Sequence, residues 1–139
     1  MLIRLGMISD KLYTMKAIVL VLATLTAQFA MAHSHDLSTQ LVTAFQNGNA
    51  TDIANKFGKS VYLALPSVTG SKTKEEAKTA LEQFFKQNTV SSAGLVHQVI
   101  GTNQSLYIIS LNTKVKTYRV SVSTTTNNGV SSISDLKIE

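Results

Sequence analysis

The last third of this chain can fold in few ways. Gly94 to Ile100, Leu106 to Asn112, Thr117 to Thr125 and Val130 to Ile138 are rich in Val, Ile, Thr and Tyr, the residue types that favour strands. Between them lie only Thr102-Asn103-Gln104, Thr113 to Lys116 and Asn127-Asn128-Gly129. Connections this short predict antiparallel hairpins, because a parallel crossover needs a dozen or more residues. Such a sheet must bury one face, and the preceding segment supplies the partner. Ala77, Ala80, Leu81, Phe84 and Phe85 recur at helical spacing behind Thr73-Lys74-Glu75-Glu76, a capping-box pattern. This helix is predicted to end near Asn88.

Upstream, Leu37, Leu41, Val42 and Phe45 predict a first amphipathic helix over 36–47, stopped by Asn47-Gly48. Thr51 is expected to cap a short second helix, with Asp52 in its first turn and Gly58 ending it after Phe57. Ser60 to Leu65 reads as a strand bounded by Pro66, and Ser67 to Lys72 as a loop. The expected fold is therefore α+β in the order α-α-β-α-β-β-β-β, with three N-terminal helices packed on a curved antiparallel sheet.

Met15 to Ala32 has the three parts of a secretory leader: Lys16, an apolar run from Ala17 to about Ala27, and the small-x-small pattern Ala30-Met31-Ala32. Cleavage is expected after Ala32, leaving 33–139 as one exported domain, periplasmic or secreted, with no membrane attachment. Met15 is the better start, because it puts Lys16 at the N-terminus. The chain's 0 cysteines exclude disulfides and thiolate chemistry, so packing alone must hold the domain together. The formal charge is +5; losing Arg4, Lys11, Lys16 and Asp10 with the leader removes three positive charges and one negative and leaves +3. The remaining bases are scattered among Ser and Thr rather than gathered in a stripe, so nucleic acid is not an expected partner.

The element order matches the cone-shaped nuclear transport factor 2-like (NTF2-like) superfamily. More narrowly, the chain resembles DUF4783, a family of uncharacterised exported proteins of Bacteroidetes. The resemblance rests on the Phe45 to Gly48 helix end, Val61-Tyr62-Leu63-Ala64-Leu65-Pro66 and Lys74-Glu75-Glu76-Ala77. It continues through Leu81 to Asn88, His97, Thr117-Tyr118-Arg119-Val120 and Leu136-Lys137-Ile138-Glu139. Ser110 departs from the glycine often found there. The resemblance implies a cone with an apolar cavity, which enzymes of the superfamily furnish with an Asp, His or Tyr; the family itself implies no activity.

The candidates for such a cavity are His97, Tyr62, Tyr107, Tyr118 and Arg119. His97 suits a general base, or equally a histidine bonding a neighbouring strand. Each tyrosine could aim its hydroxyl into a cavity or simply pack its ring. Arg119 could bind an anion or pair across the sheet with Asp135 or Glu139. Asp135 and Glu139 share one strand face, opposite Leu136 and Ile138, on the expected solvent side. His33-Ser34-His35 is at most a weak metal-binding terminus, so no metal site is assigned. No cofactor is implied, since no Gly-rich phosphate loop, G-x-S-x-G or H-E-x-x-H occurs. With no acid–base pair evident, the expectation is a non-enzymatic domain that binds a small apolar ligand or a protein partner, with a homodimer through the sheet as one form. An isomerase- or dehydratase-like enzyme using a cavity His or Tyr is the alternative, and a structural domain with a filled cone the third reading.

Overall fold

The computed structural model describes residues 36–139. The expected leader, its cleavage site and His33-Ser34-His35 lie outside the described residues. Asp36 opens helix α1 (Leu37–Gln46) by accepting from the Ser38 amide, and Leu41, Ala44 and Phe45 form its buried stripe. Gly48, at φ +58°, then turns the chain out of the helix, a conformation that costs glycine little. The second helix differs from expectation. Its cap is Asn49, whose Oδ1 accepts from the Asp52 amide at 3.1 Å, and α2 (Ala50–Ala54) stops three residues before Phe57. Phe57 instead starts strand β1 (Phe57–Ala64), where its ring reaches the core and its partner is Ile133.

A second correction concerns the expected loop at 67–72. After a turn closed by the Leu65 amide on the Val68 carbonyl at 2.7 Å, the chain returns as strand β2 (Thr69–Thr73), antiparallel to β1. Thr69-Gly70-Ser71-Lys72-Thr73 contains no large apolar residue and buries none fully, so the apolar alternation that marks a strand in sequence is missing. Its backbone ladder to β1 holds it there. Helix α3 (Lys74–Gln87) begins as expected. The Thr73 amide donates to Glu76 Oε2 at 2.9 Å and the Glu76 amide to Thr73 Oγ1 at 3.3 Å.

The four C-terminal strands follow as β3 (Val90–Ile100), β4 (Gln104–Thr113), β5 (Thr117–Asn127) and β6 (Val130–Ile138). The sheet order is β2-β1-β6-β5-β4-β3. Every pairing is antiparallel except β1 with β6, which is parallel. The expected antiparallel sheet is thus mixed, and two helices rather than three precede it. The reason is topological: α3 is the connection that carries the chain from β2 to the far edge at β3. Three hairpins then walk back across the sheet and bring β6 alongside β1. Register shifts in β3 between Leu95 and His97, and between β5 and β6 at Ser123/Thr124, help bend the sheet.

One face of this sheet covers the helices. Val61, Leu63, Leu136, Ile138, Val120, Val122, Ile109 and Leu111 meet Leu41, Phe45, Ile53, Ala77, Leu81 and Phe84 in a single apolar cluster. Phe84 and Phe85 lie edge-on to each other with centroids 5.5 Å apart, and Phe84 lies edge-on to Tyr118 at 5.2 Å. The Phe84-Phe85 helix and the bent hairpins therefore share the core that the sequence predicts. Among the described residues no helix is long and apolar enough to cross a membrane.

Candidate functional site

Directly opposed residues on neighbouring strands share a face, so the strand registers draw the second, helix-free face of the sheet row by row. One row runs Tyr62–Asp135–Ser123–Leu106–Val99 across β1, β6, β5, β4 and β3. The next runs Ala64–Lys137–Ser121–Ile108–His97. A third places Glu139 beside Arg119, joined by reciprocal backbone bonds of 3.0 and 2.8 Å, and continues to Ser110 and Gly94. The face has apolar margins, Tyr62 and Ala64 on one side and Leu106, Ile108 and Val99 on the other. Its centre is a polar strip of serines and charges.

Two open depressions mark this face. One, of about 660 Å³, has Tyr62, Leu106, Ser121, Ser123, Asp135 and Lys137 around it. The other, of about 640 Å³, is bounded by Val96, His97, Ile108, Arg119 and Glu139. The extra residue Val96 at the β3 register shift is what turns both Val96 and His97 toward this face, although Leu95 points to α1. Tyr62 on β1 and Val99 on the edge strand β3 are 49% and 53% exposed, large apolar surface left open toward the two margins of the face. Ile108 is buried yet lies outside the core cluster, covered by its neighbours on this face.

The five candidate residues thus divide between the two faces. His97, Tyr62 and Arg119 lie on the helix-free face, with Tyr62 at the margin opposite His97. Tyr107 and Tyr118 lie on the helix side. The Tyr118 hydroxyl donates to Asn88 Oδ1 at 2.8 Å, and Asn88 Nδ2 donates to the Phe84 carbonyl at 2.9 Å, so this phenol ties β5 to the end of α3. Lys116 sits 4.6 Å from the centre of the same ring. Burial pushes the Tyr107 phenol up from its ordinary value; a hydrogen bond with Ser105 offsets part of this and the Asp36 charge adds to it. His97 is exposed, and its cross-strand neighbour is the aliphatic Ile108.

Asp135, Lys137 and Glu139 project to the helix-free face while Leu136 and Ile138 are buried, as the alternation predicts. Lys137 Nζ contacts Glu139 Oε2 at 2.6 Å. That contact lowers the Glu139 carboxyl pKa, first by hydrogen bonding and then by charge, with a smaller contribution from Arg119. No ion pair or hydrogen bond engages the side chains of Arg119 or Asp135 among the described residues. Nor do the described residues hold a group of three side chains able to ligate a metal. What the face can do is bind: it offers exposed apolar margins, unspent hydroxyls and balanced charges. Leu106, Ile108 and Val99 went unremarked among the sequence candidates. For Leu106 and Ile108 the signal was the unbroken apolar run Leu106-Tyr107-Ile108-Ile109, which puts apolar side chains on both faces of its strand.

Comparison with known proteins places the chain. No curated protein matches it. The DUF4783 profile, a domain of unknown function, matches residues 38–139. A DUF4783 family protein from Bacteroides ovatus is 25% identical and superposes with a TM-score of 0.67 over 71% of this chain and 90% of its own. One from Bacteroides uniformis is 21% identical, with a TM-score of 0.71 over 75% of this chain and 96% of its own. An NTF2-like protein of unknown function from Cytophaga hutchinsonii shares the fold at 16% identity, with a TM-score of 0.52 over 75% and 86% of the two chains. With nearly the whole described region matched and the sheet-over-helix architecture shared, this chain belongs to the DUF4783 family and has an NTF2-like fold.

Proposed function

We propose that this chain is an exported, non-enzymatic binding domain whose working surface is the helix-free face of its sheet, and that the occupant of that face is a protein. The observation that carries the reading is the exposed apolar margin of Tyr62, Val96 and Val99 on a face that no element of the domain covers. A lone exposed valine would mean nothing; three large apolar side chains on one face with two broad depressions between them point to a contact surface. The size fits. Six strands about 4.8 Å apart and about 30 Å long present on the order of 700 Å², against the ~800 Å² per partner of a stable protein interface. The leader pattern at 15–32 supports a site of action beyond the cell membrane.

The alternative enzyme reading needs a titratable pair inside a closed cavity. His97 and Arg119 lie on the opposite face from Tyr107 and Tyr118, and the Tyr118 hydroxyl is already engaged by Asn88. That division favours binding. Hydroxyl-radical footprinting tests the proposal, comparing the protein in fresh extract of its own cells with the dilute purified protein. The proposal expects oxidation of Tyr62 and Val99 to fall several-fold in the extract, while Val115 and Val130, exposed beside turns, react equally in both. Equal labelling of all four would end this reading.

A further inference from the structure

The chain carries two Asn-Gly pairs, Asn47-Gly48 and Asn128-Gly129. We infer that Asn128, at the tip of the β5–β6 hairpin, is a self-modification site where the folded protein turns asparagine into aspartate and isoaspartate, and that the fold holds Asn47 unreactive. The inference is independent of the binding-face reading above. The chemistry needs only the chain and water. The backbone nitrogen of the next residue attacks the Asn Cγ and forms a new N–Cγ bond. Its proton goes to the side-chain nitrogen, which leaves as ammonia, and a five-membered succinimide remains. Water then opens the ring. Cleaving the new Cγ–N bond gives aspartate; cleaving the original backbone C–N bond gives isoaspartate, with the main chain rerouted through Cγ. Glycine is the least hindered following residue, because it sets no Cβ beside the attacking nitrogen.

The two pairs differ in what must give way before the nitrogen reaches the amide carbon. Asn128 and Gly129 are the central residues of the hairpin turn, at φ +50° and +76°, and both are exposed. Asn127 and Val130 close the turn, and Val130 is 70% exposed. The Gly129 amide donates to nothing among the described residues. Opening the tip therefore breaks only the Asn127–Val130 pairing. Behind it the ladder is held by the Thr126–Ser131 hydroxyl bond at 2.7 Å and by the Thr126 amide on the Asn103 carbonyl at 2.8 Å. Asn47 also exposes its side chain, but its neighbours are fixed. The Gly48 amide donates to the Phe45 carbonyl at 3.0 Å and the Asn49 amide to the Ala44 carbonyl at 2.9 Å. The Phe85 ring lies 3.6 Å from where a Gly48 Cβ would sit. Phe45 and Ala50, on either side, belong to the core, and Asn49 caps α2. Freeing the Gly48 nitrogen thus means unravelling the α1–α2 junction and exposing core residues, a far costlier opening than that of a hairpin tip.

The test incubates the purified protein in warm, mildly alkaline buffer, with and without denaturing urea, and maps its peptides by mass spectrometry over time. Exchange of the amide nitrogen for oxygen raises a peptide's mass. An endoprotease that cuts before aspartate separates the two products, because it leaves isoaspartate uncut. In the folded protein Asn128 should convert roughly tenfold or more faster than Asn47, since only its site opens locally. In urea the two rates should come within about threefold of each other, because the same dipeptide reacts at both places in a chain that no longer holds its fold. Asn47 converting as fast as Asn128 in the folded protein would overturn the protection. Asn128 converting in urea but not when folded, or in neither state, would overturn the site. A rate gap that persists undiminished in urea would assign the difference to sequence neighbours and overturn the role of the fold.

Discussion

Tyr118→Phe isolates the contact that ties the sheet to the end of α3. The substitution removes one oxygen and leaves the ring, so the edge-on contact with Phe84 at 5.2 Å and the Lys116 ammonium 4.6 Å from the ring centre are both retained. What is lost is the bond to Asn88 Oδ1 at 2.8 Å. Asn88 is only 8% exposed, and its amide nitrogen is committed to the Phe84 carbonyl, so the oxygen cannot turn to water without breaking a second bond. A buried acceptor left unsatisfied costs about 1–3 kcal/mol. For a domain of this size about 1 kcal/mol moves the melting temperature by roughly 4–8 °C, so a mid-range loss of ~2 kcal/mol predicts a fall of roughly 8–16 °C. Urea and thermal unfolding followed by circular dichroism would measure it. Asn88→Ala on top of Tyr118→Phe should cost less than the two single changes together, with a coupling of about 1 kcal/mol. If Tyr118→Phe unfolds within ~0.3 kcal/mol of the parent, or the two changes simply add, the hydroxyl does not serve as this tie.

Two further outcomes follow from the same geometry. The Thr73 backbone amide, and then its hydroxyl, hold the Glu76 carboxyl below its ordinary pKa of 4.5. A pKa depressed on folding contributes stability above the unfolded value, and that contribution fades as pH falls through the folded value. The urea midpoint of the parent should therefore exceed that of Glu76→Gln at neutral pH, with the gap closing in acid; a gap that widens below pH 4 would contradict the capping box as its source. A Cβ at Gly101 would lie 2.5 Å from the Gln104 carbonyl oxygen, whereas nothing lies within 4 Å of one at Gly94. Gly101→Ala should lose about 1–3 kcal/mol to strain in the tight β3–β4 hairpin, and Gly94→Ala should stay within about 0.5 kcal/mol; equal urea midpoints for the two would refute the close approach.

Local signals were legible where short-range chemistry decides the outcome. Thr73 and Glu76 announce the start of α3 because two neighbouring groups satisfy each other, whatever the rest of the chain does. The hairpins at Thr102-Asn103-Gln104 and Asn127-Asn128-Gly129 were equally plain, since so few residues reach only an adjacent antiparallel strand; Asn128 and Gly129 indeed take φ +50° and +76°. Phe57 misled because an aromatic residue four positions after Ile53 fits a helical stripe as well as a strand start, and the Ile133 pairing that settles it is 76 positions away. β2 was invisible because an edge strand can owe its place to backbone bonds with a neighbour and leave no side-chain pattern.

The candidate residues divide along the same line. Sequence alternation alone determined that Arg119 faces away from Tyr118 and Val120, and that Asp135 and Glu139 look away from Leu136 and Ile138, because successive strand side chains point to opposite faces. Composition alone determined that no disulfide staples the domain. Only the tertiary structure decided that Tyr118 is spent on Asn88, that a register shift at Val96 turns His97 to the helix-free face, and that Tyr62, Leu106 and Val99 share one row. Those facts depend on which strands become neighbours and in what register. Both are settled by the packing of the whole sheet against its helices, which no local run of residues encodes.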